Sequence, residues 1–486
     1  MSKLIWYNRA SAAFLLMFAT AIASRAQTFT TLWQFDGHDG SGPGTFGMQL
    51  VQGTDGNLYG TTDRDGVWGG TIFKITTGGT LTTLYYFCTP NCTDGWGPSG
   101  SLVLDAGGNF YGTTSIYGTA NYFGTIFRVT PEGTLTTLYR FCREATSCPD
   151  GARPEGLVLA ADGSFYGMTA LGGITSFPNC LGTEGVEGCG TIFKTTPQGR
   201  VTTLHKFGWT DGGYPAAGLV EAADGNFYGT TGAGGSYGNG TVLAMTPGGK
   251  MTSLYSFCAQ TNCVDGDDPQ AGLVLGTDGD LYGTTALGGT GNRGTIFKIT
   301  PRGTLTTLYS FCSEANCADG ESPFGALILG TDGNFYGITD YGGAYNSGTI
   351  FKITPLGALT TLHSFDGTDG SGPFGGLCQA TDGNFYGTTL GGGASNDGTV
   401  FRLSVGLGAF LKTVPVAGKA GTAVTILGTD LTGATSVTFN GTPATITVVS
   451  PSSITTTVPA GATTGKVQVT TPGGTLSSNV TFQVAP

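Results

Sequence analysis

The chain has 486 residues with 87 glycines, 39% hydrophobic, 11% aromatic and 11% charged residues. That excludes a disordered polyelectrolyte and leaves ample apolar material for packed cores; rich in Gly, Thr and aromatics, it reads as all-β with many tight turns. The formal net charge is −11, which argues against nucleic acid or an anionic membrane as partner.

At the N-terminus, Lys3 and Arg9 precede the apolar run from Ala12 to Ala23, and small residues follow. This pattern predicts a secretory signal peptide over residues 1–26, cleaved after Ala26. The run is short for a membrane span, and no later stretch is long enough. The signal region carries Lys3, Arg9 and Arg25, and the stretch from residue 406 carries Lys412, Lys419 and Lys466 against Asp430, so the body between them carries −16.

The phrase TDGNFYGTT, seen at residues 381–389, recurs in seven variants. Its tyrosine falls at Tyr59, Tyr111, Tyr166, Tyr228, Tyr282, Tyr336 and Tyr386, spaced 52, 55, 62, 54, 54 and 50 residues apart. A period near 50 is that of propeller blades. The sixth repeat parses into four short strands. These are Gly325 to Gly330, the stretch Phe335 to Thr339 after an Asp-Gly turn, Gly348 to Thr354, and Ala358 to Phe365 after a Pro-x-Gly turn. Such a sheet is apolar on both faces and needs neighbours on each side. The chain opens on a fourth-type strand, Thr28 to Phe35, and the last repeat stops after its third strand, Gly398 to Ser404. Pairing these two would complete seven blades and hide two sheet edges. Gly387 and its counterparts are expected where a neighbouring sheet presses close.

Export makes the close cysteine pairs disulfides: Cys88 with Cys92, Cys142 with Cys148, Cys180 with Cys189, Cys258 with Cys263, and Cys312 with Cys317. Cys378 aligns with Val274 and reads as a buried apolar stand-in. Three histidines and spacers of three to five residues suit zinc poorly.

The phrases DGNFYGTT, GTIFKIT and LTTLYSF resemble the GloVer tandem-repeat family of exported bacterial proteins over residues 28 to 405. The resemblance implies a secreted or surface location and brings no catalytic residues. From residue 406 the composition shifts: acids nearly vanish, and Val424/Ile426, Val437/Phe439, Val467/Val469 and Phe482/Val484 alternate as half-buried strands. This segment resembles the IPT/TIG immunoglobulin-like domain through Pro415, Gly418, Gly421, Gly428, the Phe439-Asn-Gly441 turn and Val458-Pro459. The fold expected is therefore all-β, a seven-bladed β-propeller (27–405) closed by its N-terminal strand, followed by an immunoglobulin-like β-sandwich (406–486).

What recurs in every repeat is scaffold, and what departs marks a site. Asp39, Asp94, Asp150, Asp211, Asp265, Asp319 and Asp369 each precede Gly, with proline three residues on. They read as turn residues, with a Ca²⁺-binding ring as the alternative and no other cofactor expected. The departures are a twenty-residue loop from Ala170 to Cys189 and the loop aromatics Trp68, Trp96, Tyr117, Trp209, Tyr214, Tyr237 and Tyr345. Aromatic platforms suit sugar rings. No nucleophile elbow occurs, and His205 and His363 lie in fourth strands. Asp63, Asp65, Glu184, Glu187, Asp340 and Asp397 could serve a two-carboxylate glycosidase or lyase. The function expected is non-catalytic binding of polysaccharide or a surface protein, with a carbohydrate-active enzyme or a structural spacer as alternatives.

Overall fold

A computed structural model describes residues 27–44, 48–64, 69–88, 92–116, 123–142, 148–173, 179–180 and 186–485. The signal region falls outside them. Among the described residues no helix is long and apolar enough to cross a membrane.

Among the described residues the repeats form seven antiparallel sheets, six of four strands and one of five. In the sixth repeat the strands are Ile328–Leu329, Phe335–Thr339, Thr349–Ile353 and Leu359–Ser364, hydrogen-bonded in chain order. The last repeat contributes Leu377–Gln379, Phe385–Thr389 and Thr399–Ser404, and its fourth strand is Thr28–Gln34 from the opposite end of the chain. That strand runs antiparallel from Thr28↔Ser404 to Gln34↔Thr399, with a bulge between Thr31 and Trp33. The fourth strand of the sixth sheet bulges at the corresponding step.

The repeated phrase is explained by strand alternation, which sends neighbouring side chains to opposite faces. Tyr336 faces the next sheet and stacks on Phe385, ring centroids 4.1 Å apart; Phe335 faces back and meets Tyr282 at 4.1 Å. The same contact joins Tyr59 to Phe110, Tyr111 to Phe165 and Tyr166 to Phe227. Tyr228 shares a core with Leu281, and Tyr386 of the last repeat shares one with Leu58 of the first. Each phenol then needs a partner at its polar end. In six repeats it donates to the aspartate four residues back, as Tyr386 does to Asp382 at 2.7 Å. The glycine after the tyrosine has a different cause from the one expected. A Cβ on Gly387 would lie 2.5 Å from Phe401 of its own sheet, the residue it pairs with across the strands, and Gly60, Gly112, Gly283 and Gly337 repeat this. At these five positions the aromatic ring folds over its own strand partner; at Gly229 a neighbouring sheet does come close, with Met168 3.2 Å from where a Cβ would sit.

All five cysteine pairs are disulfides. Cys378 is buried and pairs with Tyr386 as Val274 pairs with Tyr282, in keeping with its apolar role.

Beyond Ser404, strands Lys412–Val414, Ala423–Leu427, Ser453–Thr457 and Thr447–Ser450 make one sheet. Strands Thr442–Ala444, Ser436–Phe439, Val467–Thr471 and Gly474–Ser477 make another. Val424, Ile426, Val437, Phe439, Val467, Val469 and Phe482 fill one core between them, as the alternation predicts. This unit rests on the turns that join the first and second strands of the repeats. Thr425 donates to the Ala106 carbonyl at 2.7 Å, Ser452 to the Thr54 carbonyl at 2.8 Å, and the Phe410 amide to the Thr381 carbonyl at 3.0 Å.

Candidate functional site

The seven aspartates that precede glycine are anchors. Each accepts a hydrogen bond from the same position of its fourth strand, whatever residue stands there. The donors are Trp33 to Asp39, Tyr85 to Asp94, Tyr139 to Asp150, Tyr255 to Asp265 and Tyr309 to Asp319, at 2.6 to 2.8 Å. His205 meets Asp211 at 2.9 Å and His363 meets Asp369 at 2.8 Å. Backbone amides fill the remaining oxygen sites, as Ser313 and Glu314 do on Asp319. Burial raises Asp211, but the His205 and Gly208 hydrogen bonds outweigh it and hold the carboxyl below its usual value. These carboxylates are occupied by protein donors, which makes them scaffold. Cys312, Cys317 and Glu321 also come together, but the two sulfurs are joined in a disulfide and offer no thiolate.

At the loop end of the sheets, the residue before each proline links neighbouring sheets. Its amide donates to a carbonyl at the end of the preceding sheet's loop: Gly97 to Gly69, Arg153 to Phe123, Tyr214 to Cys189, Asp268 to Asn239, Ser322 to Arg293, Gly372 to Ser347 and Gly42 to Asp397, at 2.8 to 3.1 Å. The geometry requires positive φ, from 52° at Tyr214 to 63° at Gly42. Glycine meets it in three repeats, whereas Arg153, Tyr214, Asp268 and Ser322 meet it with side chains in the left-handed region. Where glycine stands, a larger side chain of the preceding sheet takes the space. A Cβ on Gly97 would meet Asp63 at 3.2 Å, one on Gly372 would meet Asp340 at 2.9 Å, and one on Gly42 would meet Leu390 at 3.3 Å. Burial pushes Asp340 up to about 6, against a hydrogen bond with Tyr341. Burial also raises Asp63 against the nearby Arg64 guanidinium, and Asp268 against its Gln270 hydrogen bond.

Next to Pro154 lies Glu155, 5% exposed, which burial pushes up to about 8 against the charge of Arg153. Its carboxylate has no hydrogen bond or ion pair among the described residues and lines a cavity of about 770 Å³. Sequence reading did not single out Glu155, Asp268 or Arg153. The available signal was a break in the repeats: the residue after this proline is Gly44, Ser99, Ala216, Gln270, Phe324 or Phe374 elsewhere.

Of the loop aromatics, Trp68 and Tyr117 lie outside the described residues, as do Asp65 and Glu184. Trp209 and Tyr214 meet edge to face, 6.2 Å between centroids, with Tyr237 56% exposed on the same sheet's loop. Tyr214 donates to the Asn179 carbonyl inside the long loop, next to the Cys180–Cys189 disulfide. Trp96 is 39% exposed beside Gly69, and Tyr345, 65% exposed, stands on the loop of the sixth sheet. Asp397 accepts from Ser41 at 2.8 Å, and Glu187 is exposed.

The chain belongs to the Gloeobacter/Verrucomicrobia repeat family, which it matches over residues 18–182, 180–318 and 258–447. Residues 411–484 match the IPT/TIG domain. A search of curated proteins returns no match. Among solved structures, a Xanthomonas campestris gluconolactonase shares 14% identity, covering 66% of this chain and 88% of its own, with a TM-score of 0.38. A puromycin-hydrolyzing peptidase of Mycobacterium tuberculosis shares 13%, covering 83% and 61%, with a TM-score of 0.46. The PQQ-bound aldose sugar dehydrogenase of Streptomyces coelicolor shares 14%, covering 78% and 98%, with a TM-score of 0.38. Likeness at this level carries no functional argument. The five disulfides fit an oxidising extracellular compartment.

Proposed function

We propose that this chain is an exported, non-catalytic binding protein that recognises polysaccharide at the loop end of a closed seven-bladed propeller. The signal-like N-terminus (residues 1–26) and the disulfides support export to the cell surface, the medium or the periplasm. Closure of residues 27–405 is supported by the Thr28–Gln34 strand completing the last sheet and by the Gly42 amide bonding Asp397 across the first and last repeats. Residues 406–486 are the separate IPT/TIG unit.

The observation that carries the binding reading is the Trp209–Tyr214–Tyr237 group, backed by the disulfide-pinned loop of the third sheet. Flat rings with polar rims suit pyranose faces. A second reading, a glycosidase or lyase, draws on buried Asp340 and Asp63 at the same end of the sheets. Retention of residues 27–486 on an insoluble polysaccharide panel, with and without Ca²⁺, tests both. Retention that falls at least tenfold in a Trp209→Ala/Tyr237→Ala variant is the expected result. Unchanged retention in that variant overturns the aromatic site, and release of new reducing or unsaturated ends overturns the non-catalytic reading.

A further inference from the structure

The inner strands of the first six repeats and the C-terminal sandwich together wall the 770 Å³ cavity that Glu155 enters. Its volume lies in the range of small-molecule sites, roughly 300–1,000 Å³. Small residues line much of it: Gly100, Gly156, Ala217, Gly218, Gly272 and Ala326. Leucines of successive repeats, such as Leu219, Leu273 and Leu327, make the rest of the wall apolar. Val416 and Val480 of the sandwich also line it, 46% and 37% exposed.

The charge of the wall is one-sided. Glu155, Glu221 and Asp224 line it, and no Lys, Arg or His does among the described residues. Glu221 is engaged by the Ala161 amide at 2.8 Å, and Asp224 by Asn226 and Tyr228. Glu155 alone of the three has no hydrogen bond or ion pair among the described residues; the one charge acting on it is that of Arg153, which does not line the cavity. An unpaired carboxyl in an apolar chamber is costly to fold and is stabilised by a ligand that brings the missing partner. Phe324, also in the wall, stacks on Phe374 with centroids 4.6 Å apart and presents a ring to the same space. A carboxylate, an aromatic face and aliphatic walls together select a cation with a hydrocarbon body.

We propose that this cavity binds a small organic ammonium, an alkyl- or aralkylamine, with its charged group on Glu155 and its apolar part along the leucine wall. The site is separate from the loop aromatics, and neither proposal depends on the other.

Calorimetric titration of folded, oxidised 27–486 with phenethylammonium, hexylammonium, the isosteric alcohols and the isosteric carboxylates tests it. The ammonium compounds are expected to bind at least tenfold more tightly than their alcohols, with no binding of the carboxylates. Glu155→Gln is expected to abolish the ammonium preference while leaving alcohol binding within twofold. Phe324→Leu is expected to weaken ammonium binding several-fold. Equal affinity for amine and alcohol, no binding of any probe by the unmodified protein, or full ammonium affinity in Glu155→Gln each overturns the proposal. The probe series on the unmodified chain decides the matter if a variant fails to fold.

Discussion

Asp319 shows what one recurring residue does. It is fully buried and accepts from the Tyr309 hydroxyl at 2.8 Å, the Ser313 amide and hydroxyl at 3.0 Å, and the Glu314 amide at 3.2 Å. Replacing it with alanine removes the shared acceptor of four hydrogen bonds at once; Tyr309 is half-buried, while Ser313 and Glu314 are exposed and turn to water. Asp319→Ala is expected to lower the unfolding free energy by about 2–4 kcal/mol, and Tyr309→Phe, which removes a single donor, by about 1 kcal/mol. Denaturant melts of the oxidised protein measure both, and equal losses would refute the anchor. The aspartate and its turn were legible in the sequence because the Asp-Gly pair repeats unchanged. Its partner was not, because one donor position is filled by Trp33, by tyrosines and by His205 and His363. Indole, phenol and imidazole are unlike as letters and alike as hydrogen-bond donors at the end of a rigid ring. Glu155 was hidden for the opposite reason: it occurs once, and only the cavity in front of it gives it meaning.

At the scale of the element, the strand Thr28–Gln34 has the most leverage. It pairs with Thr399–Ser404 over six positions. Phe29 stacks on His363 at 3.7 Å and reaches Phe365 and Phe401 at 5.6 and 5.4 Å. The buried Phe35 just beyond it meets Phe73 of the first repeat at 5.4 Å, the contact Phe311 makes with Phe351 at 5.3 Å further along the chain. Removing residues 27–35 exposes the edge of Thr399–Ser404 and strips aromatic cover from the first and last sheets together. The expected loss is several kcal/mol, comparable to the roughly 5–15 kcal/mol that separates a folded domain from its unfolded chain, with aggregation through the freed edge. A thermal melt and light scattering on the truncated protein report it, and an unchanged melting temperature would show that the strand is dispensable. Strand types and their phase were readable because each strand repeats its alternation with a period of two. The reason for Gly387 was misread because sequence spacing cannot tell a ring from the neighbouring sheet from one that folds back across the same sheet, as Phe401 does.

At the scale of the molecule, the question is what the C-terminal sandwich is for. A sandwich on a flexible linker would hold only its own core, yet this one makes polar contacts with three repeats through Thr425, Ser452 and Phe410. Its Leu427 and Val414 pack in one cluster with Tyr59 and Phe110 of the first two repeats. Such contacts couple the stabilities of the two units, since unfolding one exposes surface the other had covered. Three of the interfacial hydrogen bonds at about 1 kcal/mol each, with the buried Leu427 side chain at about 1.5–3 kcal/mol, place the coupling at about 4.5–6 kcal/mol. The full chain is therefore expected to unfold in one calorimetric transition. Truncation at residue 405 is expected to lower the melting temperature of the repeats and to raise binding of a hydrophobic dye, because the wall formed by Val416 and Val480 is gone and the leucines behind it meet water. Two independent transitions in the full chain, with the repeats melting at the same temperature with or without residues 406–486, would make the sandwich a tethered passenger. A single transition that splits only when Leu427→Ala and Thr425→Ala are combined would locate the coupling at these contacts.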